Sequence, residues 1–294
     1  MNKKIINKAF SLIELSIVIL IIGILIAGIT SGSALISKFK LSTARTLSNS
    51  APVLGISGLS LWLDATSERA FPTGQDSDGT KVSDWYDLND QRTYEKTNVS
   101  QSTIGNQPTY TKSAINGLPA LNFNNTSNQY LQNTNVLGSS LFSSDQTTIF
   151  ILQKSTTTST TTTTAICWNV NAPRLVIHSP HNGTIYFDFG ASARINTAVT
   201  NNFHNNPKIL SFSHSSDGFS DIKVDGTQIL RSAASYILPV SQSATFYLGR
   251  SNTTTDYFLG YIGEIIIYNR ALKNDERSAI ESYLSRKWGV PLTS

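Results

Sequence analysis

Three hydrophobic patterns succeed one another along the 294 residues. Residues 15–37 are uncharged throughout and dominated by Ile, Leu, Val, Ala and Gly. At about 1.5 Å per residue such a run spans roughly 35 Å as a helix, enough to cross a hydrocarbon core. It exceeds the roughly 7–15 apolar residues of a secretory signal, although Ser31-Gly32-Ser33 imitates a small-residue cleavage site. The helix can continue to residue 47. Pro52 then stops it, because the residue before a proline avoids helical dihedrals. Residues 48–57 read as a linker on which a separate domain hangs.

From residue 59 the pattern becomes that of strands. The runs 59–64, 147–152, 174–178, 184–189, 208–213, 244–249 and 263–268 are short and rich in β-branched and aromatic residues. Asn, Asp and Gly turns at 181–183, 217–218 and 225–226 separate several of them. Many short strands without intervening helices predict a two-sheet antiparallel β-sandwich over residues 58–294. One helix closes the chain, with Asn274 as N-cap, Asp275 and Glu276 in its first turn and Arg286 and Lys287 in its last. Ile280, Tyr283, Leu284 and Trp288 form its apolar stripe. The expected class is mostly β, with an N-terminal transmembrane α-helix and a C-terminal α-helix.

Composition narrows this further. Only 14% of residues are charged, against roughly 25% in ordinary soluble domains, and Ser, Thr and Asn make up about a third of the chain. A coiled coil, a helical bundle and a charged disordered chain are excluded. The formal net charge of +4 invites a nucleic-acid partner. Beyond residue 45, however, seventeen bases face eighteen acids. The excess belongs to the amino terminus, and no nucleic-acid binding is expected. Cys167 is the only cysteine, which excludes an intramolecular disulfide and a multi-cysteine zinc site.

Residues 1–9 carry Lys3, Lys4 and Lys8 and no acid, which places this leader on the cytoplasmic side. Glu14 sits at the edge of the apolar run. An acid at the centre of a membrane helix costs about 2.5–3.5 kcal/mol and usually marks function. The segment Ala9-Phe10-Ser11-Leu12-Ile13-Glu14-Leu15 resembles the type IV prepilin motif (class III signal). The resemblance implies that a prepilin peptidase/methyltransferase cuts between Ala9 and Phe10 and methylates the new amino group of Phe10. It also makes Glu14 the acid used in methylation and in assembly with other pilin or pseudopilin subunits through residues 10–47. Residues 10 and 14 share one helical face, and a buried carboxylate needs a cation such as a neighbour's α-amino group. Two departures stand out. Ala9 occupies the position where the family usually has Gly, and the apolar segment holds Gly23, Gly28 and Gly32 where many pilins have a proline. Gly28 and Gly32 form a small-xxx-small pair that permits close helix packing, though Gly is also common in membrane helices.

The remainder resembles a bacterial concanavalin A-like (LamG-type) jelly roll. The matching residues are Gly58-Leu-Ser-Leu-Trp-Leu-Asp64, Asp78-Gly79, Val82-Ser-Asp-Trp85, Ala114 to Phe123, and above all Gly260-Tyr-Ile-Gly-Glu-Ile-Ile-Ile-Tyr-Asn-Arg-Ala-Leu272. Such sandwiches include glycoside hydrolases, which need two carboxylates about 5–10 Å apart. Glu264 and Asp188 each stand alone in their strands, so Glu264 is expected to be a structural or rim residue and the protein a non-enzyme. Asp76-Ser-Asp78-Gly79 imitates the start of a calcium loop and equally a turn with Asx hydrogen bonds, which keeps Ca2+ as a cofactor option. His178, His181, His204 and His214 are scattered, the first two lying across Pro180 in an expected turn. Residues 155–164, all Ser or Thr, are expected to form an exposed loop. Trp62, Trp85 and Trp288 are expected in the core and Cys167 as a core thiol. Trp168 is left as a candidate for stacking on a sugar ring.

Together these observations predict a pilin-like or minor pilin protein. It would enter the bacterial inner membrane, join a pilus-like filament at the cell surface and present a lectin-like domain for adhesion or glycan binding. The alternatives are a pseudopilin of a secretion machine whose head takes protein cargo, and a tethered carbohydrate-active enzyme.

Overall fold

The computed structural model describes residues 12–92, 96–156, 163–169, 173–190, 194–199, 203–233, 237–251 and 256–293, without the side chains of residues 14, 27–31, 33 and 34. The N-terminal helix α1 runs over Leu12–Asn49. Its leucines, isoleucines and valine between residues 12 and 26 are all exposed, from 46% at Val18 to 87% at Leu12. Among the described residues no helix is long and apolar enough to cross a membrane. Of the segment 10–47, residues 12–47 belong to this 38-residue helix, whose apolar side chains between residues 12 and 26 are exposed.

Sixteen strands follow among the described residues, in two antiparallel sheets of eight. The first sheet comprises β1 (Leu59–Asp64), β4 (Thr109–Ile115), β5 (Leu118–Phe123), β7 (Thr147–Ser155), β12 (Lys208–His214), β13 (Phe219–Val224), β14 (Thr227–Ala233) and β16 (Gly260–Tyr268). Its order is β14-β13-β12-β7-β16-β5-β4, with β1 also paired to β16. The second comprises β2 (Asp84–Trp85), β3 (Val99–Ser100), β6 (Leu131–Leu137), β8 (Ile166–Trp168), β9 (Arg174–His181), β10 (Thr184–Gly190), β11 (Arg194–Ala198) and β15 (Ser243–Leu248), in the order β11-β10-β9-β8-β15-β6-β3-β2. The short helix α2 (Gly138–Leu141) follows β6, and α3 (Asn274–Trp288) closes the fold.

Strand alternation explains the layering, since successive side chains point to opposite faces. Ile149, Ile151, Phe212, Ile265 and Ile267 of the first sheet meet Trp168, Ile177, Phe187 and Phe246 of the second in the inter-sheet core. Trp62, Phe150, Leu152, Ile209, Ile266 and Tyr268 leave the other face of the first sheet and pack under Ile280, Tyr283, Leu284 and Trp288 of α3. Burying each such side chain is worth about 1.5–3 kcal/mol, so α3 is a third layer of the fold.

Three expectations change here. The presumed linker is packed: Ala44 of α1 and Val53 of the 3-10 turn Pro52–Gly55 are buried in the cluster beneath α3. The Tyr268 hydroxyl donates to the Val53 carbonyl at 3.0 Å and Gln91 donates to the carbonyls of Leu54 and Ile56. The domain therefore docks against the last turns of α1 and does not hang from a free stalk. His178 and His181 lie within β9 because the strand continues through Pro180. The N-cap of α3 is Lys273, one residue before Asn274, and its N–H donates to the Glu276 carboxylate at 2.9 Å.

Candidate functional site

At the amino terminus, Ala9 and Phe10 lie outside the described residues. Glu14 and Gly28 belong to α1, but their side-chain surroundings are outside the description. At Gly32 an added Cβ would meet nothing within 4 Å among the described residues.

Glu264 is neither solitary nor at a rim. It stands opposite Asp64 in the β1–β16 ladder, and two carboxylates in that relation repel. Lys287 of α3 answers both, with Nζ 2.7 Å from Asp64 Oδ2 and 2.7 Å from Glu264 Oε2, and none of the three side chains touches solvent. Every carboxylate oxygen is matched. Glu264 Oε1 accepts from Trp62 Nε1 and the Tyr283 hydroxyl, and Oε2 also accepts from Trp288 Nε1, all at 2.8 Å. Asp64 Oδ1 accepts from the Thr66 N–H and hydroxyl, and Oδ2 from Ser48 Oγ of α1 at 2.8 Å. Burial pushes the Glu264 carboxyl up and Lys287 pulls it back. Sealed from solvent, this cluster has no route to a substrate. It is the knot that ties α1, β1, β16 and α3 together.

The second sheet presents a different face. Phe246 and Leu248 point into the core, so Tyr247 between them points outward, and the same alternation turns Gln132, Tyr186, Asp188 and Arg194 outward. Two clusters occupy this face. In the first, Asp188 accepts from Arg194 at 2.7 Å through both of its oxygens, and Arg174 joins at 3.2 Å. The His178, His181 and Tyr186 rings lie beside it at 5.0–5.8 Å from one another. Burial, reinforced by His181, lowers the His178 pKa to about 4, so this imidazole is neutral at pH 7. In the second, Tyr130, Tyr247 and Tyr257 surround Arg250. Tyr130 and Tyr247 are half-buried, which leaves ring surface open. Four tyrosine rings, two imidazoles, three guanidinium groups and a carboxylate make a polar-aromatic face suited to hydroxyl-rich ligands.

Two weaker candidates fall elsewhere. Trp168 is fully buried, packs against Phe142 at 5.9 Å and donates its indole N–H to the Val136 carbonyl. Its alternation with Cys167 puts the ring in the inter-sheet core, so it offers no face to a sugar. Asp76 and Asp78 are exposed in the turn before Gly79, and Asp78 accepts from the Lys112 N–H at 2.8 Å. Among the described residues no group of three His, Cys, Asp or Glu side chains is placed to hold a metal ion. Residues 157–162 of the Ser/Thr tract lie outside the description, while Thr163 and Thr164 at its end are buried. The tyrosine cage around Arg250 escaped sequence reasoning, because its members are spread over 128 positions and meet only through strand pairing.

A two-sheet sandwich with one sheet face covered by a helix and the other carrying aromatic and charged side chains defines a lectin-type domain. The chain belongs to the concanavalin A-like lectin/glucanases superfamily, which it matches over residues 125–276. Residues 6–30 match the prokaryotic N-terminal methylation motif. Among solved structures, domain 4 of AbnA, a GH43 extracellular arabinanase from Geobacillus stearothermophilus in complex with arabinotriose, is similar with a TM-score of 0.51 and 17% identity, over 76% of this chain and 97% of that one. Trypanosoma rangeli sialidase in complex with the inhibitor DANA gives 0.52 and 15%, over 79% and 34%. The K499G mutant of NanB sialidase from Streptococcus pneumoniae gives 0.43 and 16%, over 54% and 27%. The chain thus spans about a third or less of the length of these sialidases. No curated protein matches its sequence.

Proposed function

We propose that the protein is a pilin-like subunit that carries a glycan-binding head on a filament. In this reading a prepilin peptidase/methyltransferase cuts after Ala9 and methylates Phe10. Residues 10–47 hold the chain in the bacterial inner membrane and then pack against other pilin-like subunits, with Glu14 answering a neighbour's α-amino group. The outward face of the second sheet is the ligand surface, and the chain performs no catalysis. The observation that carries the reading is the joining of two features in one chain. A methylation motif leads into α1, and the last turns of α1 are built into a lectin-type sandwich. The AbnA domain of the same architecture is seen with arabinotriose, which supports a sugar-accommodating fold.

Mass spectrometry of the mature chain tests the first half: N-methyl-Phe10 is expected as the first residue. An intact Met1 or a cut near Ser33 refutes it. A glycan array probed with and without calcium tests the second half, with Tyr247→Ala expected to abolish the signal. An array without any bound glycan refutes the lectin role.

A further inference from the structure

The chain has ten arginines. Seven pair with carboxylates, and Arg92 and Arg286 donate to main-chain carbonyls. Arg250 alone makes neither kind of contact among the described residues, and its Nε is buried without a partner. What holds it is aromatic. Its guanidinium carbon lies 4.9 Å from the ring centre of Tyr130, 5.1 Å from that of Tyr247 and 5.6 Å from that of Tyr257. The local backbone explains the placement. β15 ends at Leu248, and Gly249 takes φ +80°, where a Cβ would stand 2.5 Å from the Phe123 ring. That left-handed residue interrupts the alternation and brings Arg250 to the side of Tyr247. Asp256, close in sequence, does not pair with Arg250.

Rings on three sides fix a guanidinium by cation–π attraction, but they leave its N–H donors unmatched. A planar fork of donors in a partly desolvated cage is complementary to a carboxylate, which it takes in two parallel hydrogen bonds. The exposed surfaces of Tyr130 and Tyr247 are complementary to the C–H face of a pyranose. We propose that Arg250 and its three tyrosines form a subsite for an acidic sugar, the ring carboxylate seated on Arg250 and the pyranose against Tyr130 and Tyr247. This rests on the lectin reading and names the class of glycan within it.

The test is isothermal titration of the full chain in detergent micelles with oligogalacturonate, oligoalginate and sialyllactose, each against its methyl ester, which keeps the ring and removes the charge. At least one acid should bind at least about tenfold more tightly than its ester, with a preference that shrinks as salt rises. Arg250→Gln should erase the preference and Arg250→Lys should keep part of it, with circular dichroism confirming that both variants fold. Acid and ester bound equally, or a preference that survives Arg250→Gln, overturns this inference while the lectin reading stands. No glycan bound in either form overturns both.

Discussion

The knot around Glu264 permits a quantitative prediction. Glu264→Gln keeps shape and removes a charge, and it replaces one acceptor oxygen by a donor NH2. In one orientation that NH2 faces the Trp288 indole N–H and the Lys287 ammonium; flipped, it faces the Trp62 indole N–H and the Tyr283 hydroxyl. Either way a buried donor loses its acceptor, at about 1–3 kcal/mol, and the charge-assisted contact of Lys287 weakens. Breaking a buried ion pair on one side typically costs about 3–5 kcal/mol. In a domain of this size 1 kcal/mol moves the unfolding midpoint by roughly 2–4 °C, so the midpoint should fall by roughly 6–20 °C. The assay is urea and thermal unfolding of the full chain in detergent. Arg231→Ala is the control, because the Arg231–Asp217 pair at 3.3 Å is 43% and 56% exposed and such surface pairs are worth about 0–1 kcal/mol. If Glu264→Gln unfolds within about 1 kcal/mol of the parent, the carboxylate is not the buried hub described above.

Four shorter predictions concern His178, Gly263, Cys167 and Glu14. His178, held at about 4 by burial against an ordinary 6.5, refuses a proton that the unfolded chain accepts, so stability should fall by up to about 3 kcal/mol as pH drops from 6.5 to 4 and level off below. His178→Gln should flatten this slope in urea titrations, and an unchanged slope refutes the assignment. Gly263→Ala places a methyl 2.5 Å from the Trp288 ring and should cost about 1–3 kcal/mol by overpacking, seen as a lower urea midpoint; a neutral result would mean that Trp288 is free to move. Cys167, buried at 0% exposure, should react with a thiol reagent only after denaturant is added, and prompt labelling of the native chain would contradict its burial. Glu14→Val should leave membrane insertion intact and impair filament assembly, and normal assembly in pull-down of filaments would remove the role given to that acid.

How legible the fold was depends on where apolar residues cluster. β1, β7 and β16 stand out as dense apolar runs because they are buried on both faces. β14, Thr-Gln-Ile-Leu-Arg-Ser-Ala, has no fully buried position and offers no such pattern. β6 is apolar only at its ends, with Gln132, Asn133, Thr134 and Asn135 between. Both edge and outward-facing strands are built by pairing with neighbours that local sequence does not reveal. The Glu264 knot was legible in part for the same reason. An acid inside Gly-Glu-Ile-Ile-Ile is a signal for a buried, paired carboxylate, yet its partners include Trp62, 202 positions upstream, and Lys287, 23 downstream. Lys287 also satisfies the helix-end rule for a cation, which hides its second role.

The sharing of Asp64 has a consequence for how the head is carried. One of its oxygens receives both Ser48 of α1 and Lys287 of α3, while Arg45 of α1 reaches the Thr66 carbonyl at 2.9 Å and the Glu68 carboxylate. Lys40, one turn earlier, donates to the Asn116 carbonyl at 3.3 Å, and Asn116 in turn donates to the Trp288 carbonyl at 2.8 Å. The helix that leads away from the domain and the helix that closes it are therefore anchored to one common atom, Asp64 Oδ2, and to one common residue, Asn116. Contacts that share partners are not additive, so Ser48→Ala and Lys287→Met should show a coupling energy in a double-mutant cycle. A loosened α3 should loosen the seat of α1, and the direction in which α1 presents the sandwich is set by the same charges that hold the sandwich together.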